Sequence, residues 1–552
     1  MATSNKYDRQ LRLWGSKGQK CLSETTIVLI GACAVGTETL KNLVLPGVGG
    51  IHILDDVVST GTIEGCNFFH PFDSSVTGNS SSSRAEVTMK YLGELNEDVK
   101  ADFTHVDDLS RLNFADWLSQ TFDPSQDILI VAADIPRSLV TNIASACQRR
   151  KCPLLHVRAY GLIGMVQLQV QDHFIMESKP DNELPDLRLS QPFSDLTDLV
   201  NQTNLQTVSD MDHGHIPFVI ILIKALERWR SESTQNNLPS TPEQKAQFRD
   251  VVKTMARNYA NQLNFQEAFQ DAYLAYSPRQ LPYEVTELME SVIQKGTFSN
   301  KYQIMLLALH EFMSLPDSLQ QPPLNGAIPD MTSSTQIYIK LQNAYKAKAN
   351  HDRHKMGQIV QSLVEKHGLS PEICPSDDDL DTFCKNIHNI RYLNLRSLAY
   401  EDYDYTKEEK EDLLMTTFDA FEQKPEHTPL LWYIALEACE IFFQNFKQYP
   451  GKDSNHLTLE NDAQIVQKYI HTIAQKMDLA DSDLFKTTIL SPDAPHAKEM
   501  VRYNNAEVHN ICSVIGGVAS QEAVKLITKQ YVPIENTFIF NGIAGVGAVY
   551  KL

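Results

Sequence analysis

The six residues Gly31-Ala32-Cys33-Ala34-Val35-Gly36 follow a short apolar run that begins at Thr26, and Asp55 closes the next apolar run. Strand, glycine turn, helix and a second strand ending in an acid is the layout that brings backbone amides against a phosphate and a carboxylate against a ribose. Cys33 stands at the middle glycine position, where its side chain takes the space a phosphate needs. The loop of Gly31, Cys33 and Gly36 with Asp55 therefore reads as a degenerate nucleotide fingerprint. A structural turn accounts for it better than a working site, and for Asp55 a capping or solvated carboxylate is at least as good an account as a ribose ligand.

Other reactive residue types are scattered. None of the nine cysteines forms a Cys-x-x-Cys pair, which argues against a zinc ribbon or a disulfide framework and for reduced thiols. Asp212-His213-Gly214-His215 sets two imidazoles close together, but no third ligand lies near and Pro217 opens a helix. Capping and turn hydrogen bonds are the expectation there, and no metal site is expected.

The elements that must position these residues alternate. Strands are predicted at 26–31, 51–55, 127–133 and 153–157, with helices at 34–44, 84–95 and 136–150, an order that implies a mostly parallel α/β sheet with helices on both faces. From Val166 the texture changes, because Val166, Leu168 and Val170 alternate with Gln167, Gln169 and Gln171. Long helical patterns follow at 217–229, 245–259, 338–349, 356–367 and 407–423, broken by polar and proline-rich stretches. Near the end Ile511, Ile515, Ala519, Ala523 and Ile527 form the stripe of a buried helix, Gly516-Gly517 permits close backbone approach, and 537–541 is a strand. Residues 491–552 are too few for their own core, so they are expected to return to a first domain of residues 1–165 around a mostly helical insertion of 166–490.

The 552 residues are 42% hydrophobic and 21% charged, ordinary for a globular protein, and no apolar run approaches a membrane span. A formal charge of −20 without a basic run repels a phosphate backbone, so neither nucleic acid nor membrane is an expected partner. The first residues lack the pattern of a secretion signal, which points to the cytoplasm with access to the nucleus.

The arm Tyr7-Asp8-Arg9-Gln10-Leu11-Arg12-Leu13-Trp14-Gly15 is similar to the opening of ubiquitin-type activating enzymes. The resemblance continues through 42–49, 160–164, Gly326-Ala327-Ile328-Pro329-Asp330-Met331, Tyr338-Ile339-Lys340-Leu341-Gln342-Asn343 and 516–530, in order and over nearly the whole chain. It implies a Rossmann-like adenylation domain of the ThiF/MoeB type carrying a large helical insertion like a catalytic-cysteine domain. It also implies one half of a heterodimer in which only one subunit keeps the chemistry.

Against the active pattern this chain departs at several positions. Phe68 in Cys66-Asn67-Phe68-Phe69 replaces the expected arginine, and Gly78-Asn79 with the following serines lacks the lysine. Asp134 remains near the magnesium-binding position but is followed by Ile135. Two lost charged hydrogen bonds remove about 3 to 6 kcal/mol, on the order of 10² to 10⁴ in ATP affinity. Cys374, Cys384 and Cys439 lack the Cys-Thr setting of active members and read as buried or incidental thiols.

The resemblance thus implies a regulatory subunit that binds no cofactor itself, with ATP and magnesium held by a catalytic partner subunit. Arg9 is the candidate trans contact to that ATP, with Arg12 second. Asp330, Met331, Tyr338, Ile339, Lys340, Leu341, Gln342 and Asn343 are the candidate partner interface. Further partners would be a ubiquitin-like modifier and, through the complex, a conjugating enzyme. The large insertion favours the neddylation type over the SUMO type, whose counterpart has a much shorter one. Two other classes stay open at this point: a self-sufficient nucleotide-dependent enzyme, against which Cys33 and Phe68 count, and a pure binding scaffold, from which the fate of Arg9 separates it.

Overall fold

The computed structural model describes residues 6–58, 66–70, 82–181, 183–232, 237–296, 298, 300–370, 373–399, 405–421, 424–452 and 456–552. The chain divides into two compact units, Met1–His173 with Leu393–Leu552, and Phe174–Tyr392.

The first unit is built on one eight-stranded sheet. Its parallel part contains β1 (Thr26–Ile30), β2 (Gly50–Asp55), β3 (Lys100–His105), β4 (Ile128–Ala133) and β5 (Leu154–Tyr160), in the order β5-β4-β1-β2-β3. Thr26 lies opposite both Gly50 and Ile128. β2 and β4 are buried at every residue, as continuous apolar runs covered on both faces must be. Helices α1 (Asp8–Glu24), α2 (Ala34–Val44), α3 (Arg84–Gly93), α4 (Phe114–Thr121) and α5 (Arg137–Arg150) come from the same first stretch.

β6 (Ile163–Gln169) runs antiparallel to β5, and the chain's last strands, β7 (Thr537–Asn541) and β8 (Val546–Tyr550), extend the sheet as β6-β7-β8. The return of the C-terminal stretch is thus a strand addition in which Met165 lies opposite Ile539. The alternation expected to begin a second domain at Val166 belongs instead to this sheet. Gln167 and Gln169 are buried and satisfied: Gln167 donates to Thr537 Oγ1 (3.3 Å), while Gln169 donates to the Ala144 carbonyl (2.9 Å) and accepts from the Leu398 amide (2.7 Å).

The far boundary also moves, because the independent unit ends at Tyr392 and not at residue 490. α6 (Pro429–Phe446) is apolar nearly all round and buried from Pro429 to Glu440. Such a helix needs cover on several sides. It finds it in α7 (His456–Lys476), α8 (His496–Tyr503), β7 and β8, where Trp432, Phe442, Ile470, Met500, Ile539 and Tyr550 share one core.

α9 (His509–Thr528) has the length and apolar composition of a membrane span, but its predicted stripe of Ile511, Ile515, Ala519, Ala523 and Ile527 is buried in this unit. The helix crosses α2 at Gly516, where an added Cβ would stand 2.9 Å from the backbone of Glu38 and Thr39.

The second unit is mostly helical. Its core gathers Phe248, Phe265, Leu341 and Tyr345. The two helices expected at 338–349 and 356–367 are one helix of 33 residues, Thr335–His367. The polar residues between them contain no glycine or proline before Gly357, so nothing breaks the ladder. Buried Asp352 accepts from Lys348 (2.7 Å) and from the Leu324 amide (3.2 Å).

The adjacent glycines of α9 give opposite expectations. Gly516→Ala forces backbone apart and should lower stability by about 1–3 kcal/mol. Nothing lies within 4 Å of a Cβ on Gly517, so Gly517→Ala should stabilise by about 0.5–1 kcal/mol through helix propensity. Chemical denaturation of the two variants checks the sign of each.

Candidate functional site

The loop between β1 and α2 forms as its pattern predicts. Gly31 takes φ +89°, and a Cβ there would meet the Ala133 carbonyl at 2.4 Å, so both conformation and space demand glycine. Cys33 is the residue before α2 and is buried; burial first, then the Glu507 carboxylate, holds its thiol well above the usual range.

The amides of α2's first turn are the natural phosphate donors of such a loop. Here they are taken. The Glu507 carboxylate accepts from the Ala34 amide (2.8 Å) through one oxygen and from the Val35 amide (2.8 Å) through the other. It comes from the turn before α9, 472 residues beyond Val35. A carboxylate has the charge sign and acceptor geometry of a phosphate oxygen pair, so an internal acid occupies the anion position. Burial, followed by repulsion from Asp134, raises the Glu507 carboxyl to about 7 despite the two amide bonds.

The ribose position is closed in the same way. Asp55 is fully buried and accepts from the Ala32 amide (2.9 Å), Arg84 Nε (2.6 Å) and Arg84 Nη2 (3.0 Å). It is neither solvated nor directed at a ligand, since its acceptors are engaged by its own chain.

Asp134, the remnant of the magnesium position, carries φ +46° and meets Arg158 Nε (3.4 Å) and Asn505 Nδ2 (3.1 Å). Arg158 is itself buried and forms an ion pair with buried Glu440, with Tyr449 Oη (3.2 Å) and Asn505 Oδ1 (2.9 Å) also in reach. Burial works against the arginine's charge, but Glu440, Tyr449 and Asp134 outweigh it and keep Arg158 protonated. Burial is also the main cause that raises Asp134, opposed by Arg158.

Phe68, standing for the missing arginine, is exposed and lies against the His509 ring at 4.2 Å between centroids. Gly78-Asn79 and the serines beside them, Ser80 and Ser81, lie outside the described residues.

On the arm, α1 bends at Gly15, and Tyr7 Oη donates to Asp98 (2.8 Å) while the Trp14 carbonyl accepts from Gln530 (3.1 Å). Arg9 is exposed and has no ion pair among the described residues, whereas Arg12 pairs with Asp8 at 2.9 Å.

In the second unit, Asp330, Ile339, Lys340 and Asn343 are exposed, and Tyr338 Oη sits 3.5 Å from Asp330. Leu341 is fully buried and offers no surface, while half-buried Met331, ahead of the helix, packs on the same core. His213 is buried, stacks on Phe265 at 4.9 Å between centroids and bonds Gln262 (2.9 Å), while His215 bonds the Met211 carbonyl (2.7 Å). The two histidines serve the core and the turn. Cys384 and Cys439 are buried, each pushed up to about 12 by burial; Cys439 lies in the first unit and not in the insertion. Cys374 is half-buried and donates to the Ser370 carbonyl.

Sequence reasoning missed Glu507, Arg84, Arg158 and Glu440. No local signal marks them, since Arg84 reaches Asp55 29 positions away, Arg158 pairs with Glu440 282 positions away, and Glu507 meets Ala34 473 positions away.

The ThiF family matches residues 7–545. The chain is 33% identical to a NEDD8-activating enzyme E1 regulatory subunit of Xenopus laevis, over 99% of this chain and 98% of that relative. It is 34% identical to the regulatory subunit AXR1 of Arabidopsis thaliana over 99% and 96%, and 24% identical to the subunit of Saccharomyces cerevisiae over 99% and 100%. Among solved structures, E. coli MccB aligns with 33% of this chain and 50% of its own at 19% identity and a TM-score of 0.25.

The raised Glu507 carboxyl sets a pH dependence. The folded state holds that proton more tightly than the unfolded chain, whose value is near 4.5, so this group's contribution to stability falls as pH rises from about 4.5 to about 7. Glu507→Gln should cost about 1–3 kcal/mol near pH 5 by losing one amide bond. Its deficit against the parent should shrink by about 2–3 kcal/mol by pH 8. Denaturation of both proteins across this range measures it; a deficit independent of pH would contradict the assignment.

Proposed function

The chain belongs to the ThiF family and, within it, to the family of NEDD8-activating enzyme E1 regulatory subunits, and from that membership we propose that it is the non-catalytic half of a heterodimeric activating enzyme. The reaction it supports is adenylation of the C-terminal glycine of a ubiquitin-like modifier. The glycine carboxylate attacks the α-phosphorus of ATP and pyrophosphate leaves. A cysteine thiolate of the catalytic subunit then takes the acyl group from AMP as a thioester, and a conjugating enzyme receives it. This chain binds no nucleotide of its own; ATP and magnesium belong to the partner subunit. It works in the cytoplasm with access to the nucleus.

One observation carries the reading: the Glu507 carboxylate holds the amides of Ala34 and Val35 that a nucleotide phosphate would need. A phosphate entering there finds both amides already engaged by a carboxyl group. Engagement of Asp55 by Arg84, and of Asp134 by Arg158 and Asn505, supports the same conclusion for the ribose and metal positions. The chain therefore acts on its partner's chemistry through surfaces, and the exposed residues Asp330, Ile339, Lys340 and Asn343 are the interface expected to meet that partner.

Arg9 is the contact to ATP across the dimer. It sits exposed on an arm fixed by Tyr7 and Trp14, and a guanidinium presents a planar, permanently charged fork suited to phosphate.

Alone, the chain should show no pyrophosphate exchange with ATP, magnesium and a modifier. In reconstituted dimers of matched concentration, Arg9→Ala should assemble normally and slow exchange by roughly 10- to 100-fold, the effect of one charged phosphate contact. Arg9→Lys should recover part of it. Normal exchange by the assembled Arg9→Ala dimer refutes the trans contact and leaves a scaffold. Exchange by the isolated chain refutes the regulatory role.

A further inference from the structure

The turn that delivers Glu507 also brings two thiols to it. Cys66 directly precedes buried Asn67, and Cys512 lies in the first turn of α9. Their sulfur atoms and a Glu507 oxygen all lie within 4.8 Å of one another, and Cys512 Sγ stands 3.7 Å from Glu507 Oε1. We propose that Cys66, Glu507 and Cys512 form a binding site for one thiophilic divalent cation of the zinc(II) class, held by two thiolates and one carboxylate oxygen.

The spacing suits that ion. Zinc–sulfur bonds of about 2.3 Å and zinc–oxygen bonds of about 2.0 Å at a tetrahedral angle place sulfur and oxygen about 3.5 Å apart, close to the 3.7 Å found. Two sulfurs and one oxygen, with the fourth place left to water, favour zinc over hard cations such as magnesium.

Each ligand is held from behind. The amides of Ala34 and Val35 fix the carboxylate, and an oxygen accepting one N–H keeps a lone pair for a metal. The Cys66 carbonyl bonds His509 Nδ1 (3.2 Å), and the next residue, buried Asn67, donates to the Ala32 carbonyl (2.9 Å). These contacts limit the motion needed to close the site.

Electrostatics agree. Two thiolates and a carboxylate around a dication leave one net negative charge, at the N-terminal ends of α2 and α9, where a negative charge is favoured. Cys66 and Glu507 are half-buried, which gives the ion a way in, while Cys512 is buried. Binding sends both thiol protons to solvent, so affinity rises with pH. No sequence spacing points to this cluster, because Cys66 and Cys512 lie far apart along the chain.

The test uses the full chain, reduced and stripped of metal with a chelator. Zinc titrated against a chromophoric chelator should bind at one equivalent. Cobalt(II) in its place should give sulfur-to-metal charge-transfer absorption and the intense d–d bands of a four-coordinate ion. Cys66→Ser and Cys512→Ser should each weaken zinc binding at least about 10-fold and reduce the charge-transfer band. Cys374→Ser, a half-buried thiol elsewhere, should change neither. If Cys512→Ser does not fold, the cobalt spectrum of the parent and the Cys66→Ser titration decide. A weak six-coordinate cobalt spectrum, no bound equivalent, or zinc affinity untouched in the serine variants overturns the proposal.

Discussion

A carboxylate on the first turn of a helix is the contact around which the first unit is organised. The initial amides of any helix lack intrahelical acceptors and need a partner. In a nucleotide site that partner arrives with the ligand; here Glu507 supplies it from the far end of the chain. The contact closes the Rossmann-like half of the sheet against α9, which lies on α2 through the close approach at Gly516. The anion requirement of the loop is met within the fold by Glu507.

The remaining charges follow from that choice. Asp134, mostly withdrawn from solvent, is met by the cationic Arg158, which also serves Glu440 and Asn505. A buried network of this kind adds little net stability over an apolar core of the same shape, since desolvation offsets most of the attraction. Its value lies in being satisfied at each member, because one unpaired charge would cost several kcal/mol. Asp55 with Arg84 repeats the logic at the ribose position. At each of these positions the acid is held by hydrogen bonds from its own chain.

The second unit shows the corresponding restraint in its surface. Tyr345 and Leu341 are buried on the helix Thr335–His367, whose exposed positions at its start carry Ile339, Lys340 and Asn343.

The sequence by itself determined much of the sheet domain and raised the expectation of lost chemistry. Short apolar runs and helical spacing located β1, β2, β4, β5, β7, α2, α3 and α5, though not β3 or α4, and the residue types at Cys33, Phe68 and the three candidate thiols spoke against a working site. It misplaced the insertion's limits, because strand alternation and an apolar helix do not state which neighbour they cover. Gln167 and Gln169 look solvent-facing until their partners Thr537, Ala144 and Leu398 are known, and α6 looks like part of the insertion until β7 and β8 are seen to cover it. What only the tertiary structure decided was how the site is closed and where thiols gather. Glu507, Arg84, Arg158 and the pair of Cys66 with Cys512 carry no local pattern, because a hydrogen bond or ligand cluster depends on distance in space, and chain folding places those partners independently of their separation along the sequence.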